Sequence, residues 1–198
     1  MAEHKDRLTE LDAAIGDADH GTNMDRGMRA VVAKLEGAEE GDIARLFKTV
    51  GMTLVATVGG AAGPLYGTLF LRMAAAVGAR SELDAEAWAT VLEAGVGGVQ
   101  DRGKAVAGDK TMVDALLPAA AAFRATVDRG GSGAEAWHRA AVAARAGVKA
   151  TIPMVARKGR ASYLGERSAG HQDPGATSSY LLVECGAEVL GSTQAVSR

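Results

Sequence analysis

The sequence predicts an all-α fold, a helical bundle or barrel, and three observations predict it. Apolar residues recur at helical spacing in nearly every segment, no run alternates over the length of a strand, and abundant alanine and glycine permit close helix approach. The chain has 198 residues, 47% of them hydrophobic, which is ample for one core. Neither a repeat period nor a linker divides it, so a single domain over residues 1–198 is expected.

Leu8, Leu11 and Ile15 give a short amphipathic opening. Met24, Met28, Val31, Val32 and Leu35 form a stripe at i, i+4, i+7, i+8 and i+11, headed by Thr22 and Asn23, either of which can cap the helix. Ile43, Leu46, Phe47, Val50, Leu54 and Val55 repeat the pattern after a Gly41-Asp42 start. A glycine-rich corner, Gly59 to Gly63, leads into a helix beginning near Pro64 and running to about Val77, and a polar break follows at Ser81–Asp84. Trp88, Val91, Leu92, Val96 and Val99 make the next stripe. After Gly108-Asp109 a helix is expected from about Thr111 to Val127, carrying Met112, Leu116 and Phe123. Beyond the Gly130–Gly133 loop a long helical segment covers Ala134 to Ala156, with a kink expected at Pro153. An irregular, charged stretch from Arg157 to Gly175 precedes a last helix from Pro174 to Leu190, with proline near its start as helices allow. That makes about eight helices.

Composition excludes several classes. The net charge is −2 with mixed signs and no basic run, which argues against a nucleic-acid partner. The single Cys185 leaves no internal disulfide; a small buried residue in a reducing cytoplasm is the expectation. The charged start M-A-E-H-K-D-R leads into no apolar stretch, so no signal peptide is expected. The longest apolar runs are broken by Arg72, Arg124 and Lys149, so no membrane span is expected either.

The chemistry concentrates in Asp12 to Asn23. Asp12, Asp17 and Asp19 fall within eight positions, interrupted by Gly16 and followed by His20, Gly21 and a helix head. Asp17 and Asp19, two apart in an extended loop, face the same side, and Asp12 sits just over a helical turn earlier. Carboxylates held so close repel unless a cation lies among them, and hard oxygen ligands suit Mg²⁺ or Ca²⁺. The alternative is an Asx-rich turn with solvated charges. A helix N-terminus beside the acids offers N–H groups to an anion, and an anion next to a carboxylate-bound metal describes a Mg²⁺–phosphate complex.

Three further stretches fit that picture. The glycine-rich corner, with Gly60, Ala61 and Ala62, lets backbone N–H groups approach a phosphate at the head of the next helix. Thr111 and Met112 are candidates to line an adenine pocket, although Met112 also suits plain core packing. The long stretch holding Arg167, His171 and Asp173 has the character of a functional lid, with Arg167 suited to phosphate and His171 to ordering the loop.

The motifs L-D-x-x-I-G-D-A-D-H-G-x-N-M, G-G-A-x-G-P-L-Y-G-T, G-D-K-T-M-x-D and G-H-x-D-P-G-A-T-S, in this order from about Leu11 to Leu190, resemble the nucleotide-binding (L) subunit of dihydroxyacetone kinases. The resemblance implies an antiparallel eight-helix barrel with ADP or ATP and Mg²⁺ at one mouth. It implies that Asp12, Asp17 and Asp19 hold magnesium. It further implies that His20, Asn23 and the Gly59–Gly63 loop contact phosphate, that Thr111 and Met112 flank adenine, and that Arg167 and Asp173 belong to a closing loop. No catalytic group beyond the metal and phosphate ligands is implied.

Two features depart from the family pattern. Ala62 stands where a serine is usual, and only eleven residues precede Asp12, so either the first helix is clipped or the start differs, which leaves closure of the barrel at that edge an open question. Without a fused ketone-binding domain, the chain resembles the form used with the phosphotransferase system. There, a phosphohistidine carrier protein phosphorylates bound ADP, and dihydroxyacetone sits on a partner kinase subunit. Action in the cytoplasm is the corresponding expectation. The rival readings are the nucleotide subunit of an ATP-exchanging ketose kinase, the nucleotide domain of a fatty-acid kinase, against which His20 argues, and a non-catalytic helical module that binds Ca²⁺.

Overall fold

The computed structural model describes residues 1–36 and 43–193; the expected Gly41-Asp42 start of the third helix lies outside them. Among the described residues eight α-helices follow one another: α1 (Lys5–Ile15), α2 (His20–Leu35), α3 (Ile43–Thr57), α4 (Ala62–Val77), α5 (Ala85–Gly103), α6 (Val113–Asp128), α7 (Gly133–Ala150) and α8 (Pro174–Thr193). Short 3-10 segments occupy Ala2–His4 and Arg160–Ser168, and no strand occurs among the described residues. Each helix packs on the next, and α8 returns to α1, so the ring is closed and the short first helix takes its full place in it.

The direction of the helices alternates around the ring. One mouth gathers the C-terminal ends of α1, α3 and α5 with the N-terminal ends of α2, α4, α6 and α8. The end of α7 joins them, because the carbonyl of Thr151, just past its last residue, accepts a bond from Lys110 beside α6. Four positive dipole ends therefore converge on one opening.

Local chemistry sets many boundaries. The Asp84 carboxylate accepts the N–H of Ala87 at the head of α5 at 2.7 Å, and Ser132 Oγ accepts that of Glu135 at the head of α7 at 3.1 Å. The α3–α4 crossing needs glycine on both sides: a Cβ at Gly51 would stand 2.9 Å from the Gly67 carbonyl oxygen, and one at Gly67 2.9 Å from that of Gly51. Away from the mouth the interior is filled by a run of aromatic contacts, with ring centroids of Trp88–Trp137 and Phe123–Trp137 both 5.2 Å apart. No helix among the described residues is long and apolar enough to cross a membrane.

Several expectations are corrected. The α7 helix ends at Ala150 rather than kinking at Pro153, which lies beyond its end, since the residue before a proline is pushed out of helical geometry. The helix after the acids starts at His20 with Asp19 as its N-cap, one turn before the Thr22-Asn23 cap expected. Val32 and Val55 are exposed although they belong to the apolar stripes. Cys185 is exposed too: it lies two residues, about 200° of helical rotation, from buried Val183.

Candidate functional site

A cavity of about 400 Å³ opens at the mouth where the four N-termini converge, a size suited to a small cofactor. Its wall from α1 and α2 carries Asp12, Asp17, Asp19, His20 and Asn23, while Leu65, Val99, Thr111, Met112 and Val113 line it from α4, α5 and α6.

Asp12 is buried near the end of α1, and its position follows from the chain that wraps around it. The backbone N–H groups of Asp19 and His20 donate to its Oδ2 at 2.9 and 3.1 Å. Gly16 makes this wrap possible, because a Cβ there would stand 2.1 Å from Asp12 Oδ1. Ala18 completes the turn at a left-handed φ of +60°, a strained conformation for a residue with a side chain. The outcome is a triad of Asp12, Asp17 and Asp19 in which one carboxylate oxygen from each lies within 4.8 Å of the other two. Opposite oxygens on one Mg²⁺ stand about 4 Å apart, so small side-chain adjustments bring these donors onto a single ion.

Arg160 Nε lies 3.0 Å from Asp17 Oδ2, so a guanidinium from the 155–170 strap already partly balances the acids. Arg167, expected at the phosphates, is exposed and does not line the cavity. The 3-10 segment is interrupted at Gly165, whose φ of +54° turns the chain and separates the turn bearing Arg160 from the one bearing Arg167.

Asn23 points into the cavity from the first turn of α2. Its Oδ1 accepts a bond from Arg26 at 2.6 Å, leaving the amide N–H₂ for a ligand, and Arg26 Nε also donates to the carbonyl of Thr57 at 2.9 Å, just ahead of the glycine corner. Beyond that corner Ala61 and Ala62 line the cavity, and no side chain caps α4, so its first N–H groups remain available to an anion. Gly60 shapes the corner at a φ of +63°.

His20 Nε2 lies 2.8 Å from Ser178 Oγ, which lies 2.6 Å from the hydroxyl of Tyr66; that hydroxyl also bonds Ser179 at 2.8 Å. Burial holds the His20 imidazole below its ordinary pKa, against the pull of Asp12 and Asp19, so the ring is neutral at physiological pH with Nδ1 left for a ligand. Burial likewise pushes the Tyr66 phenol up to about 12.

Thr111 and Met112 head α6, where the Asp114 carboxylate accepts the Thr111 N–H at 2.7 Å. Asp173 is the N-cap of α8: its Oδ2 accepts the Ala176 N–H at 2.6 Å, directly before Pro174. Burial pushes its carboxyl up to about 7 despite that bond and nearby Lys110. Sequence reasoning singled out neither Arg160, Tyr66 and Ser178 nor Arg26 and Lys110. Arg160 and Ser178 join the site from more than a hundred positions away, and no local spacing signals that.

Fold and site together define a helical-barrel protein with an acidic triad and helix N-termini around one mouth, suited to a metal-complexed polyanion. The chain belongs to the DAK2 domain family, whose model matches residues 14–188. It is 49% identical over 177 residues to the PEP-dependent dihydroxyacetone kinase ADP-binding subunit DhaL of Escherichia coli, covering 89% of this chain and 84% of that one. It is 47% identical to the corresponding subunit of kinase 1 of Listeria innocua, covering 92% and 86%. Against the triokinase/FMN cyclase of Homo sapiens the identity is 35%, over 95% of this chain but 32% of that protein. The fold is similar to the dihydroxyacetone kinase of C. freundii in complex with AMP-PNP and Mg²⁺, with a TM-score of 0.70 and 28% identity over 94% of this chain; it spans 31% of that longer chain.

Proposed function

We propose that this chain is the ADP-carrying subunit of a dihydroxyacetone kinase that works with the phosphotransferase system in the cytoplasm. The observation that carries the reading is the acidic triad, three carboxylates within 4.8 Å, beside uncapped helix N-termini at the mouth of the barrel. In this reading Asp12, Asp17 and Asp19 hold Mg²⁺. When bound, the ion neutralises phosphate charge and fixes the diphosphate in line for transfer.

The protein's own groups do the remaining work. The Asn23 amide, neutral His20 and the N–H groups at the head of α4 bind phosphate oxygens, and Thr111, Met112, Leu65 and Val99 form the walls for adenine. Arg160 balances charge at the open side, where a phosphohistidine carrier protein and the dihydroxyacetone-binding subunit dock in turn. Little covalent chemistry is asked of the protein, because phosphoryl transfer depends on positioning and charge stabilisation. The ATP-exchanging alternative is less favoured, since identity to the PEP-dependent subunits reaches 49% against 35% to the human triokinase.

Mass analysis of small molecules released from the purified protein tests the reading. ADP or ATP is the expected product. Protein that emerges without nucleotide, and shows no heat of ADP binding with Mg²⁺ present, overturns it.

A further inference from the structure

Lys110 is fully buried, and among the residues with a left-handed backbone it is the one whose charge goes inward, at a φ of +62°. Its ammonium donates to the carbonyls of Thr151 at 2.8 Å and Met154 at 3.1 Å, with Ile152 at 3.5 Å, and to the carbonyl of His171. The first three belong to the end of α7 and the turn just past it, where carbonyls have no helical partner and the dipole is negative. The fourth belongs to the approach to α8. One ammonium, with three protons, therefore ties together the two ends of the strap that runs from 155 to 170 and carries Arg160.

Neighbouring bonds close the same base: Gly170 N–H donates to the Ile152 carbonyl at 2.7 Å, Arg157 N–H to the Asp109 carbonyl at 3.1 Å, and Asp173 N–H to Thr151 Oγ1 at 3.0 Å. All of them are neutral; the first and third bridge the two ends of the strap, and the second ties its start to the loop before α6. Thr151 is itself fully buried, and without the ammonium its carbonyl would keep only the 3.2 Å bond from the Met154 N–H.

We propose that Lys110 is a positioning residue: it pins the base of the strap, and so sets where Arg160 and Asp173 stand at the mouth, without itself contacting the ligand. The part concerning nucleotide rests on the function proposed above; the part concerning the strap does not. The left-handed backbone fits this role, because it turns the Lys110 side chain under the strap: Lys110, Thr111 and Met112 all border the cavity, but the Lys110 ammonium is taken up by the carbonyls of Thr151, Met154 and His171.

The test compares wild type with Lys110→Met, which keeps the stem and removes the charge, and with Lys110→Gly, which suits the left-handed backbone and is the variant of choice where the methionine protein does not accumulate. Hydrogen exchange followed by mass spectrometry is expected to speed up about tenfold or more in peptides from 151–173, with peptides from α3 to α5 unchanged. The dissociation constant for ADP with Mg²⁺ is expected to rise by about tenfold, because only closed straps bind, while that for Mg²⁺ alone does not rise, and falls by no more than about fivefold as the Arg160–Asp17 pair loosens. Unchanged exchange in the strap, or an increase spread evenly over the whole chain, overturns the proposal. If wild type binds no nucleotide, the functional reading falls, and strap exchange still decides on Lys110.

Discussion

Arg160 and Asp17 meet across the gap between the strap and the acidic turn, with Nε 3.0 Å from Oδ2. A divalent ion entering the triad must share or take over that oxygen, so guanidinium and metal compete for it. The pair is largely exposed, with side-chain accessibilities of 67% and 35%, and such pairs contribute about 1 kcal/mol or less. Arg160→Ala is therefore expected to tighten binding of Mg²⁺ alone by no more than about fivefold. In the complete kinase the same change is expected to slow phosphoryl transfer by about a hundredfold, since it removes a charge-stabilising donor. Calorimetric titration with Mg²⁺ checks the first half; a variant that binds the ion more weakly than wild type rules out the competition.

Asp17 separates a ligand-binding role from a structural one. It is exposed and accepts no backbone bond, unlike Asp12. Asp17→Ala should then leave the melting temperature of metal-free protein within about 2 °C, the usual range for a surface change in a domain of this size. Wild type should gain stability when Mg²⁺ and ADP are added together, by about 2.7 kcal/mol at a hundred times the dissociation constant, and the variant should gain almost none. A large loss of stability in the metal-free variant would instead favour the structural Ca²⁺ module.

The acidic turn was legible in the sequence because its parts are neighbours: Asp12, Asp17 and Asp19 lie within one turn of chain, and a local wrap brings them together. The eight helices were legible for a similar reason, since helical period is a local property. What escaped was convergence. Ser178 reaches His20, Arg160 reaches Asp17 and Lys110 reaches the end of α7 only because the ring closes, and the spacing of these residues along the chain carries no trace of it. Arg167 and Arg160 are both strap arginines, and only the turn at Gly165 decides which of them reaches Asp17. Val32 shows the limit of periodicity, for it belongs to the α2 stripe by spacing, yet it is exposed among the described residues.

Asp173 makes stability depend on pH. Its carboxyl is pushed by burial from 3.8 to about 7 on folding, so the folded chain holds a proton that the unfolded chain releases. Its contribution is fully present below about pH 4 and is lost as pH rises through about 7. Asp173→Asn mimics the protonated form and keeps a good N-cap for α8. The melting temperatures of the two proteins, without metal or nucleotide, should approach each other near pH 4.5 and diverge towards pH 8, with the variant the more stable. His20 titrates in both and cancels in the difference. Parallel curves would show that Asp173 is ionised in the fold throughout.

Ala62 is the first residue of α4, half-buried in the cavity wall, at a helix head that no side chain caps. Backbone N–H groups there can serve a phosphate, but the methyl group adds nothing to them. A hydroxyl at this position can donate one more hydrogen bond to a charged oxygen, worth about 1.5–3 kcal/mol when fully formed and less where water already fills the space. Ala62→Ser is accordingly expected to lower the dissociation constant for ADP with Mg²⁺ by about tenfold. The hydroxyl could instead turn back to cap α4, which would raise the melting temperature of the nucleotide-free protein and leave affinity unchanged. Calorimetry and thermal melts on the same sample separate the two outcomes. Tighter binding with an unchanged melt puts a phosphate at the head of α4, and a raised melt with unchanged affinity moves the phosphates away from it.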